Sequence, residues 1–193
     1  MLNFKVERLA NFTFAVDELV KYYKEVKEQY SHLECRSVLF PNGYSYAMQT
    51  KLADPNIPCP PFHMPNEGAH NSNFDTPTPL MFGFAKKILE AFPYAKQMVI
   101  TTHGPGAKID WHIDEEIFLE EEHLKIHLPI ESNADSYFQF EDQDIVLEPG
   151  NAYLVNTSVL HATDNRGTTE RAHLIFKVPV SAVQDILTNK VSV

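Results

Sequence analysis

Residues 171–178 alternate in character: Arg171, His173, Ile175 and Lys177 fall on one face of an extended chain, Ala172, Leu174, Phe176 and Val178 on the other. The second face has the composition of a core, and the first mixes charge with apolar bulk. Residues 124–130 repeat the pattern, with Leu124, Ile126, Leu128 and Ile130 on one side and Lys125 and His127 on the opposite one. Further short runs of this kind occupy 97–103, 136–141, 144–148 and 152–156. Turn signals separate them: Gly104-Pro105-Gly106, Glu148-Pro149-Gly150 and Asn165-Arg166-Gly167. Many short strands at close intervals cannot each bury a face alone, so they must close into a sandwich or barrel. From residue 96 to about 180 the chain therefore reads as a small β-barrel or jelly roll.

The first 95 residues read differently. Residues 3–14 suit a short strand or entry loop. Over 15–30, Val16, Leu19, Val20, Tyr23 and Val26 recur near helical spacing with Glu and Lys between them, which predicts an amphipathic helix. Two β-like runs, 37–40 and 44–48, flank the Pro41-Asn42-Gly43 turn. A second helix is expected over about 80–92, closed by Pro93. Between them, 54–79 is rich in Pro, Asn and His and includes His63 and His70; its length makes it the candidate lid. No repeat or linker divides the chain. The expectation is one domain over 1–193, α+β but mainly β, with a helical and loop part at 1–95 and a jelly-roll core at 96–180.

Composition narrows the partners. A net charge of −10 argues against nucleic acid and against an anionic membrane surface. No apolar run approaches the roughly 18–20 residues of a spanning helix, and the start, Met1-Leu2-Asn3-Phe4-Lys5-Val6, lacks the apolar core of a signal peptide. A cytoplasmic setting is expected, with Cys35 and Cys59 as reduced thiols. Nothing in the pattern sets an oligomeric state.

Against that acidic background, three polar residues converge on one chemistry. His112 and Asp114 lie two apart, so an extended backbone sends both side chains to the same side. Nine His and ten Asp in this chain would produce roughly 0.5 such triplets by chance, so the pair alone decides little. His161, in the strand-like Val159-Leu160-His161-Ala162-Thr163, supplies a second imidazole. Two neutral imidazoles and one carboxylate form a facial triad that leaves up to three metal positions open, the arrangement suited to ferrous iron and O2. Closed structural zinc sites favour four ligands and cysteine. Arg171 stands ten residues past His161; with four arginines in the chain, that coincidence has a chance of roughly 2%. Its planar fork suits a carboxylate held bidentately. Inside a barrel, Lys125 and His127 would face the same cavity, and Thr101 could donate a hydroxyl to the same anion.

The segment from about 98 to 178 resembles the aspartyl/asparaginyl β-hydroxylase family of Fe(II)- and 2-oxoglutarate-dependent oxygenases. The residues carrying the resemblance are Pro105-Gly106, His112 and Asp114, Lys125-Ile126-His127-Leu128-Pro129-Ile130, Glu148-Pro149-Gly150, Asn156-Thr157-Ser158-Val159-Leu160-His161, Asn165 and Arg171-Ala172-His173-Leu174. Bacterial proline hydroxylases are similar in the H-x-D, the distal His and the Arg at plus ten. The resemblance implies a double-stranded β-helix core with helices packed outside. It further implies His112, Asp114 and His161 as iron ligands and catalytic centre, Arg171 as partner of the distal carboxylate of 2-oxoglutarate, and O2 as co-reactant. Thr101 falls where the family has a serine assisting that carboxylate, and His127 where it has a histidine holding the cosubstrate. Lys125 stands where arginine is usual and loses the planar fork. Retention of Asp114 favours hydroxylation over halogenation. The substrate expected by analogy is a free amino acid or a peptidyl residue. The competing readings are a cupin-type metalloenzyme without 2-oxoglutarate and a non-catalytic jelly-roll binding module.

Overall fold

The computed structural model describes residues 4–36, 42–50, 75–114 and 123–193. In chain order the strands are β1 (Val6–Arg8), β2 (Phe12–Thr13), β3 (Cys35–Arg36), β4 (Gly43–Ala47), β5 (Gln49–Thr50), β6 (Thr76–Pro77), β7 (Lys96–His103), β8 (Lys108–His112) and β9 (His123–Glu131). They continue with β10 (Ser136–Phe140), β11 (Gln143–Ile145), β12 (Tyr153–Val155), β13 (His161–Asn165), β14 (Arg171–Pro179) and β15 (Val191–Ser192). Helices α1 (Val16–Gln29), α2 (Gly83–Ala91) and α3 (Val180–Thr188) punctuate them.

Two antiparallel sheets organise the molecule. A larger one runs β1-β12-β9-β14-β7-β4-β3, and a smaller one β11-β10-β13-β8. The larger draws strands from both halves of the chain, since β1, β3 and β4 pair with strands of the β-rich half or with each other. The fold is mainly β, a jelly roll with its helices outside.

The alternation seen in the sequence decides which face each strand buries. Leu124, Ile126 and Leu128 of β9 join Ala172, Leu174, Phe176 and Val178 of β14 in one apolar cluster with Leu19, Tyr23 and Val26 of α1, Phe84 and Ile88 of α2, and Val183 and Ile186 of α3. A second cluster, Phe138, Phe140, Leu147, Tyr153 and Val155, lies between the sheets on the other side. β14 is central: it pairs with β7 on one edge and β9 on the other, so its inward residues reach the middle of the barrel.

Several boundaries differ from the sequence expectation for identifiable reasons. The second helix begins at Gly83 rather than near residue 80, because Thr78 captures the first turn: its hydroxyl accepts from Leu80 N–H at 3.1 Å and its carbonyl from Met81 N–H at 3.0 Å. Gly83 then takes φ +50, a left-handed step that admits glycine at little cost. The strand expected at 144–148 ends at Ile145, and the chain leaves the sheet for the Glu148-Pro149-Gly150 turn, where Gly150 has φ +83. α3 was not expected from the sequence, although Pro179 at its N-cap and Val183 and Ile186 on its buried face are a legible start and spacing. Of the candidate lid 54–79, residues 54–74, with His63, His70 and Cys59, lie outside the described residues, as does the run 37–40. The last part of it, β6, pairs with β5. Among the described residues no helix is long and apolar enough to cross a membrane.

Candidate metal and carboxylate site

The site begins with a register. β13 pairs with β8 so that His161 stands directly opposite His112, and the two rings lie 4.2 Å apart, centroid to centroid. A break in register between His161 and Thr163 follows at once. Bulges of this kind re-aim side chains at the ends of pairing. Past the end of β8, Asp114 is tied down by its backbone N–H, which donates to the Thr157 carbonyl at 3.0 Å.

Both imidazoles are oriented by their own backbone. His112 Nδ1 lies 2.7 Å from the Asp110 carbonyl and His161 Nδ1 2.9 Å from that of Val159. A carbonyl only accepts, so each Nδ1 carries a proton and the neutral form of each ring has a bare Nε2, the tautomer that binds a metal. These two Nε2 atoms lie 3.6 and 3.7 Å from the Asp114 carboxylate oxygens. The three donor atoms all fall within 4.8 Å of one another. Phe138 stacks on His161 with ring centroids 5.3 Å apart and planes 10° apart, which limits rotation of that ring.

Charge is arranged around the triad in a consistent way. Burial opposes ionisation of Asp114, but the Lys125 ammonium, hydrogen-bonded to its Oδ2, outweighs this and holds the carboxyl well below the usual carboxylate range. Burial lowers the pKa of His161 and so favours the neutral ring. A deprotonated carboxylate and neutral imidazoles are the states in which these groups bind a cation. The donor set fits a ferrous ion, with two nitrogens and one oxygen on one side.

A cavity of about 600 Å³ opens beside the triad, between the two sheets. Arg171, Thr101, Lys125 and His127 all line it together with His112, Asp114 and His161. The structure thus brings the seven residues expected to hold metal and cosubstrate into one space. Arg171 starts β14 and is only 4% exposed. Among the described residues no carboxylate lies within ion-pair distance of it, and burial alone pushes its pKa down to about 9, which still leaves it charged at neutral pH. A buried guanidinium without an anion is costly, by several kcal/mol after relaxation. The neighbouring His103, His127 and His173 are held neutral by burial and, after it, by the Arg171 charge. That end of the cavity is therefore cationic and shielded from solvent.

Sequence reasoning gave no role to several residues that build the site. Thr157 is buried, lines the cavity and holds Asp114; nothing periodic marks it. Phe138 lies in an alternating run but gives no sign of stacking on a distant histidine. Asn165, fully buried, donates to the carbonyls of His103, Gly104 and Thr169 at 2.8, 3.1 and 2.9 Å. It thereby ties the β7–β8 turn, and so the approach to His112, to the loop that delivers Arg171. Lys125 was expected on the cosubstrate and is found on Asp114.

The fold and the site together define a jelly-roll protein with a two-histidine, one-carboxylate centre beside a buried cation. The sequence pattern of the aspartyl/asparaginyl β-hydroxylases matches residues 61–179, more than half of the chain, and the protein belongs to that family. The crystal structure of a prolyl-4-hydroxylase from Pseudomonas putida is similar over 92% of this chain and 93% of that one, at 11% identity and a TM-score of 0.56. A predicted oxalate decarboxylase from Thermotoga maritima is matched over 51% of this chain and 76% of its own, at 15% identity and a TM-score of 0.36. A cupin domain from Bordetella pertussis matches over 45% and 82%, at 16% identity and a TM-score of 0.35. No curated protein sequence matches the chain.

Proposed function

We propose that this protein is an Fe(II)- and 2-oxoglutarate-dependent dioxygenase that hydroxylates an unactivated C–H bond of an amino acid or a peptidyl residue. The observation that carries the reading is the pairing of the triad with Arg171. The same cavity holds a set of donors for a divalent ion and, further in, a buried guanidinium that lacks a carboxylate partner among the described residues. Burial of that cation beside the metal donors calls for an anionic group in the same cavity.

His112, Asp114 and His161 would hold the iron, which with 2-oxoglutarate and O2 supplies the oxidation, releasing succinate and CO2 as the alcohol forms. The protein's own residues do the rest. Arg171 binds and neutralises the distal carboxylate, with the Thr101 hydroxyl as a second donor on the adjoining strand. Lys125 keeps Asp114 ionised and in place. The apolar walls of the cavity, Val99, Ile175 and Phe138, exclude water from the reacting centre.

Anaerobic addition of 2-oxoglutarate to the iron-loaded protein tests this directly. A visible metal-to-ligand charge-transfer band is expected, and His112→Ala should abolish both it and stoichiometric iron binding. Absence of the band, or iron binding undiminished in the variant, refutes the reading. A screen of amino acids and peptides for succinate formation above the uncoupled rate then identifies the substrate.

A further inference from the structure

Three buried polar side chains meet at the wall of the cavity, and the guanidinium, which can only donate, constrains how they hydrogen-bond. Arg171 Nη2 lies 3.0 Å from His173 Nδ1, and His127 Nδ1 lies 3.3 Å from that same nitrogen. Both histidines are essentially inaccessible, at 1% and 3% exposure. A guanidinium has donors and no acceptor, so His173 Nδ1 must be bare and the proton must sit on its Nε2. A second bare nitrogen facing the first would repel it. His127 therefore carries its proton on Nδ1 and keeps a bare Nε2. Among the described residues the Nε2 atoms of both rings are buried without a partner, and of the two rings it is that of His127 that lines the cavity.

We propose that His173 is a positioning residue for Arg171: it accepts from the guanidinium, fixes the aim of the fork, and through the same nitrogen sets His127 as a hydrogen-bond acceptor toward the cavity. The role assigned to Arg171 rests on the function proposed above; the tautomers do not. Two consequences follow. The far carboxylate of the cosubstrate is held by Arg171 and Thr101 without His127, because a bare Nε2 has no hydrogen to give a carboxylate oxygen. His127 instead takes a hydrogen from a donor in the cavity, a water or an N–H or O–H group of the substrate. The histidine two residues past the arginine, on the same strand face, is thus part of the carboxylate site.

Imidazole 15N NMR on the metal-free protein reads the tautomers without any turnover. His173 is expected as the Nε2–H form and His127 as the Nδ1–H form at neutral pH. A His173 protonated on Nδ1, or either ring carrying both protons, overturns the inference. The positioning role is then read by titrating 2-oxoglutarate into nickel-loaded protein, in which no reaction occurs. His173→Leu should weaken 2-oxoglutarate by about tenfold, the scale of one hydrogen bond to a charged group, with nickel affinity unchanged. His173→Asn, whose Oδ1 can replace Nδ1 as acceptor, should stay within about threefold of the wild type. Equal weakening in both variants, or in neither, overturns the role. If the wild-type protein shows the expected tautomers but binds no 2-oxoglutarate, the enzyme assignment fails and the tautomer assignment stands.

Discussion

Arg171 and Asp114 are the two residues whose charges the protein handles most differently. Asp114 has a counter-ion, Lys125, before any metal arrives. Among the described residues Arg171 has only a neutral histidine as side-chain partner, and it bears its own desolvation. The first is a site already poised for a cation, and the second a deficit that an incoming anion removes. Truncating one partner of a buried, hydrogen-bonded charge pair costs about 2–5 kcal/mol. Arg171→Ala should therefore raise the 2-oxoglutarate needed for half-saturation by roughly 30-fold or more, with iron affinity unchanged in an equilibrium metal titration. Arg171→Lys should recover only part of this, since an ammonium lacks the two-pronged geometry. Parallel loss of iron and cosubstrate in Arg171→Ala would make the residue structural. Phe138 belongs to the same scale, because its ring lies against His161 and meets His127 edge-on at 5.7 Å. Phe138→Ala should cost about 3–5 kcal/mol in a denaturant melt and weaken metal binding as well, whereas Phe138→Leu should cost less on both counts.

β14 shows how an element delivers a residue. Glu170, just before it, accepts from the Tyr23 hydroxyl at 2.5 Å and from Lys27 at 2.9 Å, and also from Tyr44. These contacts clamp the start of the strand to α1 and β4 while Arg171, next in line, faces the cavity. Burial opposes the charge on Glu170, but the three donors prevail and its pKa is lowered. A carboxylate whose folded pKa is depressed contributes stability that is fully present above its unfolded value, near 4.3, and is lost as pH falls through the lower folded value. Acid unfolding should therefore be shallower in Glu170→Gln than in the wild type below about pH 4, although the variant is less stable at neutral pH by about 1–3 kcal/mol. Identical acid limbs would show that the clamp carries no charge effect. The element scale also explains what the sequence could disclose. β9 and β14 were legible because one face of each meets the helices, so period-2 alternation is enforced by burial. β8 was not, because it lies at the edge of the smaller sheet with most of its residues exposed or half-buried, and no pattern marks it. His112, Asp114, His161 and Arg171 could be read because their chemistry and spacing are one-dimensional. Thr157, Phe138, Asn165 and His173 act through contacts that only the sheet registers create.

For the molecule as a whole, the site is a local expense that the rest of the fold carries. The helices and the outer face of the larger sheet form a continuous apolar cluster, while the inner face holds Arg171, the neutral His103 and His127, and Lys125 in a partly enclosed cavity. Stability and ligand binding should then be coupled. Any ligand that binds only the folded form stabilises it by RT ln(1 + [L]/Kd), about 2.7 kcal/mol at a hundredfold excess over Kd. A buried charge without a counter-ion carries a desolvation penalty of roughly several kcal/mol, which an apolar side chain of similar volume does not. Arg171→Met should accordingly melt at or above the temperature of the wild type when no cosubstrate is present. On addition of nickel both proteins should gain equally, because the triad is untouched. On further addition of 2-oxoglutarate the wild type should gain again and Arg171→Met should not. A ligand-free variant that melts well below the wild type would mean that Arg171 supports the fold rather than straining it. A second rise in the variant equal to that of the wild type would place the carboxylate elsewhere in the cavity.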